Sequence, residues 1–477
     1  MNGHAWSASV IEPSQESKRR RSSRFPRGLS FRVSNVVSSK RAGVVLLVAL
    51  ALCVLEGALR KWVIGDQASR CNWLAYFSKD LAFGLILLFP NRRVMSPAMA
   101  VFRAWLIPGL GLLIFGIALS SLRGWNLVGA GLTLRATIVL PTISYLAVTR
   151  VSGFQVSRAA WVIGVLVIMN CGLGLVQNRL PADHVLNQYV ASETVVVALD
   201  SGTRATGTFS FITGLEVFAF VGFWAGLVLL SLLDRRWAQT AGVAALVAAL
   251  GCGLASVSRA PTIVGLGILA IWAWCSRQLF LSRRNGPGVL PTVVTVTCLL
   301  ALAPGLTGLA RAVLDRHVSG GDTLAGRAFG QFSGCMYAAS VAPFGAGFGT
   351  EQIGGNYAAN GIMKFTTFED QLPRLVLETG VMGLLGFVMI CAGALLALER
   401  AKRTASMSER AMLVATQLLL IVLFYTNVVF NHTASAFAWI IFAAVLAISL
   451  PRDFRTPIND AQRQRRRNRI CRTSIAC

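Results

Sequence analysis

Long apolar runs separated by short polar connections dominate the pattern of this sequence. An α-helix rises about 1.5 Å per residue, so about 20 apolar residues cross the roughly 30 Å hydrocarbon core of a bilayer. The pattern therefore predicts an all-α, polytopic membrane protein with about 12 transmembrane helices. The predicted spans are 42–59, 73–90, 100–120, 128–149, 159–178, 211–233, 240–257, 261–279, 289–309, 372–398, 411–430 and 433–450.

Two connections are much longer than the rest. Residues 179–210 separate the fifth and sixth predicted spans, and residues 310–371 separate the ninth and tenth. Segment 325–341 is compatible with a helix, whereas the six glycines of 343–361 predict irregular backbone. Because loops held by a rigid scaffold often carry function, we expect the chemistry of this protein in the longer insertion, 310–371, and the start of the span that follows it.

The distribution of basic residues predicts the orientation. Cytoplasmic loops of membrane proteins are enriched in Lys and Arg. With a cytoplasmic N-terminus, 30 of the 45 basic residues fall on the cytoplasmic side and 12 on the other side. The transmembrane domain, 42–450, then lies between two basic cytoplasmic tails, 1–41 and 451–477, whose composition predicts disorder. Both termini are cytoplasmic, and the two insertions are periplasmic.

Composition agrees with a membrane protein. Hydrophobic residues make up 55% of the chain, the mean hydropathy is +0.62, and only 14% of residues are charged. The net charge of +25 follows from topology and the basic tails, so membrane lipids are expected partners and nucleic acid is not. The ten cysteines show no metal-ligand spacing, and no metal or cofactor is predicted. Cys71 and Cys335 lie in outer loops, where free thiols are favoured over a disulfide.

Short motifs of Arg, Gly and Glu flank the predicted spans on the outer side. In chain order they are Arg204-x-x-Gly207-x-Phe209, Ser258-Arg259-Ala260, Gly326-Arg327, Pro343-x-Gly345-x-Gly347-x-Gly349 and Glu378-x-Gly380. In this order the motifs resemble the O-antigen ligase and polymerase superfamily of bacterial membrane proteins, over residues 45–450. The segments Glu56-Gly57-Ala58-Leu59-Arg60-Lys61-Trp62 and Lys79-Asp80 resemble a sub-group associated with exopolysaccharide synthesis.

The resemblance implies a metal-independent glycosyltransferase of the bacterial inner membrane. It would transfer or polymerise a glycan carried on undecaprenyl diphosphate, at the periplasmic face, in O-antigen or exopolysaccharide biosynthesis. The acceptor would be a glycan or a lipid-linked molecule, and polysaccharide-assembly proteins are further candidate partners. Family members commonly carry a histidine eleven residues before the glycine of Glu-x-Gly. Here that position is Glu369, followed by Asp370, which favours a variant polymerase over a strict ligase.

The chemistry requires fixed cations and a base. A departing diphosphate is a polyanion, and the planar guanidinium of arginine binds phosphate through two hydrogen bonds. Four arginines near the outer membrane boundary are candidates for diphosphate binding: Arg204, Arg259, Arg327 and Arg374. Glu369 or Asp370 would take the proton of the acceptor hydroxyl.

Each candidate also has a structural interpretation. Arg259 can be an interfacial anchor, Arg327 can pair with Asp322 or Asp315, and the two carboxylates can be a solvated loop end. Glu378 is expected to pair with Arg374, four residues earlier on the same helix face. Arg135 and Glu216 are expected to stabilise the bundle. The other expectations are a packed charge cluster of Glu56, Arg60, Lys61 and Asp80, and a surface position for His432.

The alternative function is a twelve-span transporter or a flippase for lipid-linked glycans. Transport sites favour broken helices and charges near the bilayer midplane. The candidate charges of this sequence instead cluster at the outer boundary, which favours transfer.

Overall fold

A computed structural model describes the backbone of residues 28–64, 70–90, 95–151, 156–188, 198–199, 202–232, 236–281, 324–351, 370–426 and 428–449. Within these ranges the chain forms thirteen α-helices: α1 Gly28–Ala58, α2 Arg70–Leu85, α3 Pro97–Ser121, α4 Leu127–Leu134, α5 Leu140–Val148, α6 Val156–Arg179, α7 Ile212–Ser231, α8 Arg236–Ala255, α9 Arg259–Leu281, α10 Leu324–Val341, α11 Gln371–Lys402, α12 Met407–Thr426 and α13 His432–Leu446. A π-helical segment, Leu59–Ile64, extends α1, and another, Arg135–Val139, joins α4 to α5. Two short strands, Ala198–Leu199 and Gly202–Thr203, pair antiparallel.

Eight of the predicted spans coincide with helices long and apolar enough to cross a membrane. These are Arg41–Ile64, Pro97–Ser121, Leu127–Val148, Val156–Arg179, Ile212–Ser231, Trp237–Ala255, Gln371–Lys402 and Met407–Thr426. The predictions 261–279 and 433–450 correspond to shorter apolar helices, Ala260–Ser276 and His432–Leu446. The prediction 73–90 corresponds to α2, which has only 16 residues and includes Lys79 and Asp80. The prediction 289–309 lies outside the described residues, so twelve spans remains a prediction.

The N-terminal helix is longer than the apolar pattern predicts. Its apolar run begins near residue 42, but α1 begins at Gly28, within the range predicted as a basic tail. Residues 1–27 and 451–477 lie outside the part of the chain that the structure describes.

Helix α7 lies at the centre of the bundle, because it is buried on every side. Seventeen of its 20 residues are buried, and it packs against α6, α8, α9 and α12. A helix that is apolar all round is typical of the interior of a helical bundle. The indole of Trp224 donates to Thr416 Oγ1 of α12 over 2.9 Å, so its polar group is satisfied within the apolar interior.

Helices α3 and α11 pack closely through glycine. A Cβ atom at Gly109 would lie 2.8 Å from the carbonyl oxygen of Gly386, and one at Gly116 would lie 2.6 Å from the amide nitrogen of Gly383. Small residues let helix backbones approach in this way in membranes, where packing replaces the hydrophobic effect as the driving force. These contacts hold the middle of α11 against the second half of α3.

The helix ends meet in two groups. We call one the polar end; it comprises the turn 122–126, the segment 203–211, the turn 256–258, the loop 342–351 and the residues 428–431. Backbone hydrogen bonds join these segments, including Asn126 N to Phe348 O at 2.9 Å and Ala205 N to Ala255 O at 3.0 Å. The opposite end comprises the turns 149–151 and 403–406. The Arg-x-x-Gly motif, Ser258 and the Pro-x-Gly-x-Gly-x-Gly motif all lie at the polar end.

Candidate functional site

A buried group of charged side chains, the charge cluster, lies where α1 and α2 meet at the polar end. Glu56 is its centre: one carboxylate oxygen accepts from Arg60 Nη1 at 2.9 Å and the other from Lys79 Nζ at 2.6 Å. Lys79 is fully buried and Glu56 is 5% exposed. Buried charges of this kind persist only when they are paired and hydrogen-bonded. The structure therefore confirms that Glu56 and Arg60 pack together.

The second half of the charge cluster joins α2 to the segment between α4 and α5. Arg135 forms a fork with Asp80, with Nε to Oδ2 and Nη2 to Oδ1 both at 2.7 Å. Arg135 Nη1 also lies 3.1 Å from His432 Nδ1, and Nη2 donates to the His432 carbonyl at 3.2 Å. The prediction that His432 is a surface residue is wrong, because α13 begins with this residue inside the polar end.

Tyr76 connects the two halves of the charge cluster. Its ring lies under the guanidinium of Arg60 at 5.0 Å and under Lys79 Nζ at 4.5 Å, and it packs edge-on against the His432 ring at 5.4 Å. Cations over an aromatic face are attracted by the ring quadrupole, which partly replaces lost water. The cluster is thus one contiguous unit drawn from α1, α2, the α4–α5 segment and α13.

Lys61 does not join the carboxylates as predicted but contacts the motif turn, residues 203–210. Its Nζ donates to Thr206 Oγ1 at 3.0 Å and to the Gly207 carbonyl at 2.9 Å, and lies 4.7 Å from the centre of the Trp62 ring. Lys61 is 6% exposed, and among the described residues none of its contacts is with a carboxylate. It is a buried basic side chain held by neutral groups.

Two buried amide side chains of α6 fix the shape of the motif turn. Gln177 Oε1 accepts from the amides of Thr206 at 3.1 Å and Gly207 at 2.7 Å, and Asn170 Oδ1 accepts from Thr208 N at 2.9 Å. Gly207 has a φ of +58°, and a Cβ there would lie 2.5 Å from Asn170 Oδ1. The glycine of Arg-x-x-Gly is therefore required by the tight turn and by this close approach.

Arg204 lies in the motif turn and closes it against α8 and α7. Its Nε donates to the Ser256 carbonyl at 2.9 Å, and Nη2 pairs with Glu216 at 3.2 Å. Ser256 is three residues before Arg259, the first residue of α9, so two of the predicted arginine positions meet at this end. The expectation that Glu216 and Arg135 stabilise the bundle agrees with these ion pairs.

The glycine loop, residues 343–351, docks onto the bundle rather than standing apart from it. Gly345, Gly347 and Gly349 all have positive φ, at +83°, +149° and +78°. Arg123 Nη1 donates to the Gly345 carbonyl at 2.8 Å, and a Cβ at Gly349 would collide with the amide nitrogen of Ala130. The sequence predicted irregular backbone at these glycines, and in the structure they let the loop approach α3 and α4 closely.

Gly380 interrupts α11 where the glycine loop packs. Its φ of +69° and ψ of −178° are not helical, and the amide of the next residue, Val381, donates to the Pro343 carbonyl at 2.9 Å. A Cβ at Gly380 would lie 2.7 Å from that same oxygen. The Glu-x-Gly motif therefore marks a built-in break in a membrane helix, satisfied by a neighbouring loop.

Glu378 is fully buried and does not pair with Arg374 as predicted. One carboxylate oxygen accepts from Thr133 Oγ1 at 2.5 Å, and the other accepts from the amide of Glu351 at 3.1 Å. Arg374 instead places its guanidinium 5.4 Å from the centre of the Phe430 ring. Glu378 thus ties α11 to α4 and to the glycine loop, and Thr133 lies only two residues from Arg135 of the charge cluster.

The predicted base and two predicted diphosphate ligands are only partly described. Glu369 lies outside the described residues, and so do the side chains of Arg259 and Arg327, whose backbones lie in α9 and α10. Asp370 immediately precedes α11 and is half-buried. Burial raises the pKa of the Cys335 thiol of α10 to about 11, and the nearby Asp370 carboxylate adds to this effect. Asp370 and α10 are therefore neighbours.

The structure describes both cysteines that the sequence places in outer loops. Cys71 and Cys335 are free thiols, in agreement with the prediction. Among the side chains that the structure describes, no group of three or more His, Cys, Asp or Glu has the arrangement of a metal site.

Among the described residues, the charge cluster and the neighbouring Lys61 bring together four basic side chains and only two carboxylates. The basic residues are Arg60, Lys61, Lys79 and Arg135, and the carboxylates are Glu56 and Asp80. The sequence did not reveal this excess of basic side chains, because it depends on which helices are neighbours. No protein-family model matches this sequence, and no curated protein matches it significantly. A function for this protein is therefore inferred from the arrangement of these side chains.

Proposed function

We propose that this protein is a metal-independent membrane glycosyltransferase that transfers or polymerises an undecaprenyl-diphosphate-linked glycan at the periplasmic face, in O-antigen or exopolysaccharide biosynthesis. The observation that carries the proposal is the excess of basic side chains in the charge cluster and beside it. Four basic side chains, including Lys61, and two carboxylates are brought together there among the described residues. An anionic substrate group would balance them.

The electrostatic argument favours a diphosphate. Taking a cation out of water costs several kcal/mol unless an anion or a set of hydrogen bonds compensates it. Lys61 has only a hydroxyl, a carbonyl and an aromatic face around its ammonium group among the described residues. A lipid-linked diphosphate enters from the membrane, carries several negative charges, and is the type of anion that arginine and lysine bind.

In the proposed reaction the acceptor hydroxyl attacks the anomeric carbon of the carrier-linked sugar. A carbon–oxygen bond to the acceptor forms, the bond from the anomeric carbon to the diphosphate breaks, and the electron pair leaves with the diphosphate. Glu369 would take the acceptor proton, with Asp370 orienting it or the acceptor. Arg204, Arg259, Arg327 and Arg374 would stabilise the negative charge that develops on the leaving group.

The apolar centre of the bundle favours transfer over transport. In α7, which lies there, 17 of the 20 residues are buried, whereas a transporter would line a path for its substrate with binding groups near the bilayer midplane. The charges come instead from the end of α1, from α2, from the α4–α5 segment, from the start of α13 and from the motif turn. The proposal includes an inner-membrane location with both termini cytoplasmic, which the bias of basic residues supports.

The proposal is tested with the purified protein in liposomes that contain undecaprenyl-diphosphate-linked oligosaccharide. Arg259→Lys and Arg327→Lys keep the charge but lose the guanidinium fork, so transfer should fall about tenfold or more while the protein remains folded. Arg400→Lys at the opposite end is the matched control. Near-normal transfer by both lysine variants would remove these residues from the site. Movement of the lipid across the bilayer without a new glycosidic bond would instead identify a flippase.

The role of the base is tested separately. Glu369→Gln keeps the shape of the side chain and removes its basicity, so the transfer rate should fall about 10²–10⁴-fold while donor binding survives. Asp370→Asn should reduce the rate less. Full activity in both variants would show that this loop end holds no base. An inactive Asp370→Asn beside an active Glu369→Gln would move the assignment by one residue.

A further inference from the structure

His432 is held by Arg135 in a way that determines its protonation. Arginine stays charged in proteins and has only hydrogen-bond donors. Its Nη1 lies 3.1 Å from His432 Nδ1, so Nδ1 must be the acceptor and must carry no proton. The proton of the neutral ring then sits on Nε2. The fork between Arg135 and Asp80 fixes the guanidinium, and the guanidinium in turn fixes the tautomer.

The surroundings of the ring keep it neutral as well as in one tautomer. A second proton would have to be placed on Nδ1, directly against the guanidinium. The ring stands nearly perpendicular to the Tyr76 ring, with the two centroids 5.4 Å apart, and Arg60 and Lys79 lie over that same Tyr76 ring. His432 is also the first residue of α13, where Asn431 caps the helix and the helix dipole is positive. Each of these features opposes an imidazolium.

The hydrogen bond from Arg135 excludes a general-base role for His432 and allows a role as a hydrogen-bond donor. A general base needs a free lone pair, and the only one on this ring already accepts from Arg135. Nε2–H is a donor that makes no hydrogen bond to another described residue, and His432 is half-buried at the polar end. A neutral donor beside an excess of cations suits an oxygen that carries negative charge.

We propose that His432 Nε2–H is a preset hydrogen-bond donor to a diphosphate oxygen of the lipid-linked substrate, with Arg135 and Asp80 as positioning residues. The proposal rests on the glycosyl-transfer function above and assigns His432 to binding of the leaving group rather than to proton removal. It also explains why the Arg135–Asp80 ion pair contacts a histidine of α13, which is distant in the chain.

Nitrogen NMR of the protein in nanodiscs tests the tautomer without any activity measurement. The chain has four histidines, so selective ¹⁵N labelling gives few signals, and His432→Gln identifies the one of interest. We expect a protonated Nε2, an unprotonated Nδ1, and no titration between about pH 5 and 8, where an ordinary histidine changes charge. A ring that titrates normally or carries its proton on Nδ1 would overturn the proposal.

Binding of undecaprenyl diphosphate by two matched variants then separates ligand binding from structure. The amide of His432→Gln can replace the Nε2–H donor but offers Arg135 no acceptor at the Nδ1 position. The oxygen of His432→Asn can accept from Arg135 but leaves no distal donor. We expect the Asn variant to bind this lipid about tenfold more weakly than the Gln variant, the effect of one hydrogen bond to a charged group. Equal affinity, or weaker binding by the Gln variant, would show that His432 serves only as an acceptor for Arg135.

The wild-type Nε2 signal should also shift when undecaprenyl diphosphate is added, and undecaprenol without the diphosphate should leave it unchanged. A shift with both lipids would show that the isoprenoid chain, not the diphosphate, reaches the ring. Loss of glycan transfer with the tautomer and the shift intact would count against the proposed reaction and not against this binding role.

Discussion

The two ends of the bundle hold their charges in opposite ways. At the polar end, Lys79 is 0% exposed and its partner Glu56 comes from another helix. At the opposite end, Lys402 pairs with Glu399 only three residues away, and Glu399 is 52% exposed. Arg410 there donates to backbone carbonyls of the adjacent turn, 402–405. These two basic residues are thus satisfied by chain neighbours. This is expected of surface charges that set the orientation of a membrane protein.

This difference shows that net charge alone does not locate a site. The opposite end is rich in Lys and Arg, yet their described contacts are with chain neighbours or, for Arg150, with the backbone carbonyl of Phe89 at 3.0 Å. The polar end joins residues far apart in the chain, such as Arg135 and His432, which are 297 positions apart. Desolvation makes such buried ion pairs costly to form, and removing one partner leaves a buried charge that is also costly. These pairs therefore show where the packing of the helices depends on charged residues.

Labelling of engineered cysteines gives the largest expected contrast between the two ends. Leu122 lies in a turn of the polar end and is 84% exposed, and Thr404 is exposed in a turn of the opposite end. The two variants are Leu122→Cys and Thr404→Cys. With intact inner membranes, a membrane-impermeant maleimide should modify the engineered cysteine at 122 and not the one at 404, and mass spectrometry distinguishes both from the native exposed Cys71. Modification at 404 alone would invert the topology and move the proposed chemistry to the cytoplasm.

Breaking the Asp80–Arg135 fork should cause the largest loss of stability. Arg135→Met leaves a buried carboxylate without its partner, and such changes cost about 3–5 kcal/mol. Arg400→Met, at an exposed position of the opposite end, should stay within about 0.5 kcal/mol. The measurement is denaturant unfolding in detergent. Removing both charges with Asp80→Leu and Arg135→Met should recover part of the loss; equal effects of Arg135→Met and Arg400→Met would refute the contrast between the ends.

A side chain at the break in α11 should cost less but should still be clearly measurable. Gly380→Ala places a Cβ 2.7 Å from the Pro343 carbonyl at a φ of +69°, and strained backbone of this kind costs about 1–3 kcal/mol. Gly111→Ala is the matched control on α3, because a Cβ there meets nothing within 4 Å. Thermal unfolding should show a lower midpoint for the first variant and little change for the second. An unchanged Gly380→Ala protein would mean that the glycine loop is not held against this break.

The smallest effect is expected for the ion pair of the opposite end. Glu399→Gln removes the charge that faces Lys402 and keeps the shape of the side chain, and exposed pairs of this type contribute about 0.2–1 kcal/mol. The change should shrink further in high salt, because solvent ions screen exposed charges. Unfolding at low and high ionic strength measures it. A loss as large as that of Arg135→Met would show that this end is also built around buried charge.

The helices were largely predictable from sequence because their cause is local. The apolar run 211–233 became α7, Ile212–Ser231, and the helix-compatible segment 325–341 became α10, Leu324–Val341. Backbone hydrogen bonds within a helix and the length needed to cross hydrocarbon both depend on consecutive residues. The predicted span 73–90, which includes Lys79 and Asp80, corresponds to α2, Arg70–Leu85, continued by a 3-10 turn, Ile86–Leu88.

The candidate site was predictable only in part. The pairing of Glu56 with Arg60 is a contact four residues apart on one helix, so spacing reveals it. The place of His432 beside Arg135 had no local signal, and neither did the contact of Lys61 with the motif turn. Glu378 was assigned to Arg374 by the same spacing rule, but Thr133 and the Glu351 amide satisfied it instead.

The sequence by itself determined that this is a helical membrane protein and which motifs share one side of it. Only the tertiary structure decided which charges meet, that the glycines of 345–349 serve docking of the loop, and that Arg135 sets the proton of His432. The physical reason is the range of the interactions. Burial and helix formation are determined over about 20 neighbouring residues. A buried charge is stabilised by whichever partner the packing of distant helices places within hydrogen-bond reach.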